Sequence, residues 1–238
     1  MVAIDSTPRV QRTDSIFFPL MAIAMALVVF VGFAPTFYLR EQFNGPPLSL
    51  LKIIHGTAFT AWIGLLIVQT GLVAANRRDV HRKLGVAGAC LAVVMVVLGT
   101  WLAIDALRRG LSPPGLPSAA AFFAVPIAAM VGFSALIGSG VLNRRRLAYH
   151  KRYILLGTAL ILGAAVARLP LAVVQSGPFV GFLITDTFLI AMMAYDLATS
   201  RRVHPATLWS GVVLVASQFL PMLIGGTQLW HDFASLLT

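Results

Sequence analysis

Seven apolar runs, separated by short polar or turn-forming stretches, dominate the pattern along the chain. They cover approximately residues 16–38, 49–75, 84–106, 118–142, 151–173, 178–198 and 206–228. A membrane-crossing helix needs about 20 largely apolar residues. In lipid every backbone polar group has to be satisfied within the segment, so runs of this length are predicted to be helices. Gly45-Pro46-Pro47, Pro113-Pro114-Gly115 with Pro117, and Gly177-Pro178 punctuate the pattern. Few polar residues join the fifth and sixth runs, and Pro221 with Gly225-Gly226 predicts a kink or an early end in the seventh. The expected architecture is all-α: a polytopic bundle of seven transmembrane helices. A polar tail over 1–15 would precede a single membrane domain over 16–230, followed by a short tail over 231–238.

Composition supports lipid as the solvent. Of the 238 residues, 58% are hydrophobic and 11% charged, against about 25% charged in a soluble domain. The stretch 1–15 is polar, and the run after it is too long for a signal-peptide core, so it is expected to be the first span. The net charge of +10 would suggest nucleic acid in a soluble protein. Here the cations sit in short loops without a basic recognition face, which points to topology and anionic lipid instead. Cys90 is the only cysteine, which excludes an intramolecular disulfide and a thiolate metal cluster.

The basic residues divide unevenly between the two ends of the expected helices. Arg9, Arg12, Arg77, Arg78, Arg82, Lys83, Arg144, Arg145, Arg146, Lys151, Arg152, Arg201 and Arg202 fall on one side, and Arg40, Lys52, Arg108, Arg109 and Arg168 on the other. Thirteen against five predicts the N-terminus inside and the C-terminus outside, and therefore an odd number of spans. Three inside loops also share a pattern, in which an arginine pair precedes His81, His150 or His204. A helical hairpin used three times would produce it, and so would chance among basic loops.

The histidines at that common depth are the first candidate chemistry. Imidazoles on neighbouring helices can clamp a haem iron or hold a transition metal. His81 and His150 are the expected ligands, with His204 as an alternate. Asp79 is a possible second-sphere acceptor, and Arg82 and Arg152 would hold haem propionates or lipid phosphates. The alternative is that each histidine caps a helix beside basic residues. A second candidate is a buried cluster of His55, Arg168 and Asp186, because a mid-membrane carboxylate needs a partner or a proton. Arg168 is the expected partner of Asp186. Gly56 would leave room for a bulky group beside His55, and Gln69 or Thr57 would be its hydrogen-bonding alternatives. Asp196 reads as an interfacial residue. Nucleotide-binding glycine loops, zinc-protease motifs and nucleophile elbows are absent from the sequence. With no lysine inside the seventh run, a retinal Schiff base there is excluded.

Several stretches resemble a group of bacterial multi-pass membrane proteins of unassigned activity. They are Phe37-Tyr38-Leu39-Arg40 through Pro46-Pro47 to His55-Gly56, Asp79-Val80-His81-Arg82-Lys83-Leu84-Gly85, His150-Lys151-Arg152, Tyr195-Asp196-Leu197, and Arg202-Val203-His204-Pro205-Ala206-Thr207-Leu208-Trp209. The resemblance implies a multi-pass protein of the bacterial cytoplasmic (inner) membrane. The helix starts His-Arg-x-Leu and His-Lys-Arg are also similar to those of small membrane proteins, some of them linked to haem proteins or oxidase assembly. The methionine often found after the second such histidine is replaced here by Tyr153-Ile154. Three functional expectations follow. The first is haem b or a transition metal held for electron transfer or assembly. The second is transport or proton-coupled conduction through the buried cluster. The third is a structural role alongside other membrane proteins.

Overall fold

The computed structural model describes residues 12–113, 115–175 and 178–238. Arg9 of the basic set and Pro114 and Gly177 of the breakers lie outside these residues. Among the described residues all regular structure is helical. The elements are α1 (Arg12–Phe33), continuing as a π-helical turn over Ala34–Tyr38, then α2 (Leu50–Ala74), α3 (Arg78–Arg108), α4 (Ala119–Leu142) and α5 (Leu147–Leu160). After them come α6 (Gly163–Val166), α7 (Ala172–Gln175), α8 (Pro178–Ser200), α9 (Pro205–Ile224) and α10 (Gln228–Ser235).

Among the described residues six helices are long and apolar enough to cross a membrane: Arg12–Tyr38, Leu50–Ala74, Arg78–Arg108, Ala119–Leu142, Phe179–Ser200 and Pro205–Ile224. The chain is thus a membrane protein by fold, with one difference from the expected seven continuous helices. The run over 151–173 breaks. Its first part is α5, after which the backbone tightens into three-residue turns, with Ile161 N–H donating to Thr158 O and Leu162 N–H to Ala159 O. Gly163 and Pro170 weaken helix continuity, and only short helical pieces follow. Leu155, Leu156, Thr158 and Ala159 of α5 are buried, and Leu162, Ala165, Val166 and Leu169 of the broken stretch face the core. Gly163, Ala164, Ala167, Arg168, Pro170 and Leu171 are exposed, so the segment lies with one side on the core and the other outward.

The core forms around that segment. Met21, Ala22 and Met25 of α1 join Leu155, Leu156 and Ala159 of α5, Phe188 and Met192 of α8, and Leu214 of α9 in one apolar cluster. Trp62 on α2 adds a polar clamp, its indole N–H donating to Thr158 Oγ1 at 3.1 Å in the buried interior. Around this core, Leu20 and Leu27 of α1, Val93 and Val97 of α3 and Leu223 of α9 are exposed and apolar. An outward-facing shell of that kind is what a lipid solvent requires. At the end of α1, Leu39 N–H donates to Ala34 O five residues back. That widened turn accommodates Pro35, which lacks the N–H a regular helix would use.

Several helices begin earlier than the apolar pattern suggests. The first starts by Arg12, α3 starts at Arg78 and α5 at Leu147, so polar residues form their first turns. The seventh run ends at Ile224, before Gly225-Gly226, and α10 occupies most of the expected C-terminal tail. Contacts place the start of α1, the end of α2, the starts of α3 and α5, the ends of α4 and α8, and the start of α9 at one end of the bundle. The basic loops therefore share that end.

Candidate metal centre

One buried and one partly buried ionic group stiffen the basic end. Asp196 on α8 is fully buried and Arg152 on α5 nearly so, at 0% and 5% exposed. Asp196 Oδ1 accepts from Arg152 Nε at 2.9 Å and from Nη2 at 2.5 Å. Its Oδ2 accepts from the backbone N–H of His204 at 2.9 Å and from Thr207 Oγ1 at 2.5 Å. Arg152 Nη1 donates to Ala148 O. Beside this group, Lys151 Nζ lies 2.6 Å from Asp14 Oδ2, and Tyr195 OH donates to Asp14 Oδ1. Together these bonds tie α1, α5, α8 and α9. Two sequence expectations change as a result. Asp196 is the centre of a buried network instead of an interfacial residue. Arg152 points inward to that carboxylate, so its guanidinium is not free for a propionate or a phosphate.

His81 and His150 come together in front of this network. Their ring centres lie 6.2 Å apart and the planes are nearly perpendicular, at 86°. His81 sits in the first turn of α3 and His150 in the first turn of α5. His150 Nδ1 lies 2.8 Å from Gly140 O at the end of α4. A carbonyl only accepts, so Nδ1 carries the proton, and in the neutral ring Nε2 keeps its lone pair. This is the arrangement typical of metal-ligating imidazoles, whose second nitrogen donates to a fixed acceptor. His81 Nδ1 is buried with no hydrogen-bond partner. The 6.2 Å separation is close to that of two imidazoles on nearly opposite sides of one ion, given about 2 Å per metal–nitrogen bond plus the half-width of each ring.

Gln69 on α2 joins the pair from a third helix. Its Nε2 donates to the backbone carbonyl of His81 at 3.2 Å, while its Oε1 is buried without a partner. The sequence had offered Gln69 as a partner for His55. The two lie fourteen residues apart on one helix, roughly 21 Å along its axis at 1.5 Å per residue, so Gln69 serves the opposite end. A buried polar atom left unpaired costs about 1–3 kcal/mol. Two such atoms, on Gln69 and His81, are therefore places where a ligand or an ordered water would be favoured.

The other expected site residues lie elsewhere. His204 is the N-cap of α9, and its Nδ1 accepts from Ala206 N–H at 3.0 Å. Its ring packs edge-on against Tyr149 at 4.6 Å. Burial, and then the nearby Arg152, hold the His204 imidazole below the ordinary histidine range. The cap needs the neutral ring. A folded-state pKa depressed below about 6.5 gives a contribution that is present above that pH and lost as pH falls through the folded value. The thermal midpoint should therefore decline in mild acid. His204→Asn keeps an N-cap acceptor without a titration and should show a flatter acid limb in a differential scanning fluorimetry series.

Asp79 pairs with Arg77 at 3.4 Å and is largely exposed, so it does not support an imidazole. Arg82 is exposed. The expected Arg168–Asp186 pair is not formed among the described residues. Asp186 Oδ1 instead accepts from Gln218 Nε2 at 2.9 Å. Arg168 donates to Ala164 O at 2.6 Å and lies over the Phe33 ring. His55 stacks on Phe59 with ring centres 4.1 Å apart, and its Nδ1 is buried and unpaired. The room expected beside Gly56 is filled by the Phe37 ring, which a Cβ there would meet at 2.4 Å.

Among the described residues no three His, Cys, Asp or Glu side chains are grouped as a metal cage would require. Comparison of the chain with protein-family models, curated proteins and solved structures finds no match. Fold and site together define a helical membrane protein with two neighbouring histidines at its basic end.

Proposed function

We propose that this chain is a bacterial inner-membrane protein that binds a transition-metal centre, as a bare ion or as haem iron, through His81 and His150. Electron transfer or cofactor assembly is the role that fits such a centre. The observation that carries the reading is the pairing itself. Two imidazoles from different helices meet at 6.2 Å, one with a lone pair left free by its bond to Gly140 and the other with a buried unpaired nitrogen. The residues present fit a metal: ring nitrogens suit copper, zinc, iron and nickel. A bound ion or iron would supply redox or Lewis-acid chemistry, while the chain's own contribution is to hold both rings at a fixed depth and orientation.

On this reading the broken α5–α6–α7 segment makes the seventh crossing as a discontinuous helix. The basic end then faces the cytoplasm, by the rule that Lys and Arg accumulate inside, and its exposed cations meet anionic lipid. The N-terminus lies inside and the C-terminus outside. Transport through a cluster of Asp186, Arg168 and His55 has less support, because the Arg168–Asp186 pair on which it relied is not formed. The absorbance spectrum and elemental content of protein purified without chelators test the reading. A Soret band or near-stoichiometric metal supports it. Absence of both, in membranes as well as in detergent, rejects it.

A further inference from the structure

We propose that Gln69 supplies the third donor to the ion held by His81 and His150, through its side-chain carbonyl oxygen. The result is a mononuclear site with two nitrogens and one oxygen for a borderline divalent metal. This rests on the reading of the two histidines as ligands. The grounds are two buried polar atoms that have no hydrogen-bond partner among the described residues. Gln69 Nε2 is committed to the His81 carbonyl at 3.2 Å, which fixes the amide beside the His81 backbone. Its Oε1 can only accept, and it is buried with no donor. His81 Nδ1 is buried and unpaired as well. A direct bond between these two atoms would have satisfied both, and none is formed.

Carboxylates are missing from this neighbourhood for a reason the same residues suggest. Asp79 turns to Arg77, Asp14 to Lys151 and Asp196 to Arg152, so among the described residues no acidic side chain at this end is left to bind an ion. A neutral amide oxygen is then the available third donor, and imidazole with carbonyl oxygen is a set that copper, zinc and nickel accept. All three donors are neutral. The ion keeps its full charge beside the exposed Arg82 and Lys83, so an added negative charge should tighten binding.

Cobalt(II), whose visible bands report ligand number and type, is the probe, titrated into the full-length protein in nanodiscs. Gln69→Leu removes both the amide donor and the oxygen. Gln69→Glu removes the donor to the His81 carbonyl and keeps an oxygen. With Gln69 as a ligand, Gln69→Leu should weaken cobalt binding by about tenfold or more and shift its bands, whereas Gln69→Glu should bind at least as tightly as the wild type. Equal weakening in both variants would assign Gln69 to the hydrogen bond alone and overturn the inference. So would unchanged affinity and spectrum in both, with His81→Ala still losing cobalt, and the histidine pair would survive. Failure of the wild type to bind cobalt would overturn the pair and the third donor together. If Gln69→Leu does not fold, the Gln69→Glu result decides alone.

Discussion

Asp196→Ala is expected to destabilise the protein by about 3–5 kcal/mol, the cost of leaving a buried charge without its partner. Arg152 is 5% exposed, and two of its nitrogens are directed at Asp196 Oδ1. Removing the carboxylate strands that guanidinium in the interior. It also frees the backbone N–H of His204 and the hydroxyl of Thr207, which both donate to Oδ2. The start of α9 and the start of α5 would loosen together. An apolar pair, Arg152→Met with Asp196→Leu, should recover much of the loss, because it removes both charges at once. Unfolding midpoints in a mild detergent, read by circular dichroism, check this. A drop of less than about 1 kcal/mol for Asp196→Ala would mean that the network is solvated, since exposed ion pairs contribute only that much.

Gly32→Ala is expected to be the most damaging single-methyl addition in the bundle. A Cβ at Gly32 would lie 2.2 Å from Ala165 O, 2.8 Å from its carbonyl carbon and 3.0 Å from its Cα. These are backbone atoms of the broken segment, which cannot step aside as a side-chain tip can. Overpacking of this kind costs about 1–3 kcal/mol, and the upper end applies where main chain has to move. Gly32→Leu should abolish accumulation of folded protein. Gly64 provides the control. Nothing lies within 4 Å of a Cβ placed there, so Gly64→Ala should be neutral or stabilising by about 0.5–1 kcal/mol from the better helix propensity. Fluorescence-detected size-exclusion profiles after heating would separate the two. Equal behaviour of Gly32→Ala and Gly64→Ala would contradict the close approach of α1 to the broken segment.

Much of the fold was legible because hydropathy and charge act along the chain. Six of the seven apolar runs are continuous helices, and the basic loops share one end. The fifth run shows the limit. Hydropathy records how apolar a stretch is, and an irregular, half-buried backbone between Leu160 and Ala172 is as apolar as a lipid-facing helix. Gly163 and Pro170 were visible, but glycine and proline also occur in unbroken membrane helices. Level along the bundle was similarly legible, whereas rotation about each helix axis was not. His81 and His150 were expected at one level, and the structure brings their rings to 6.2 Å of each other. Arg168 and Asp186 were paired by depth and sequence nearness, yet their side chains engage Ala164 and Gln218. Asp196 looked interfacial because its partner Arg152 lies 44 residues away. Gln69 was visible as a polar residue in an apolar run, but the helix to which it would turn could not be read from sequence.

The account stands on His81 and His150 sharing one centre. The most direct test is the metal and haem content per chain of the wild type, His81→Ala and His150→Ala, purified side by side from native membranes. The prediction is close to one centre per chain in the wild type and loss from both variants. An equal content in all three proteins, whether full or empty, would contradict it.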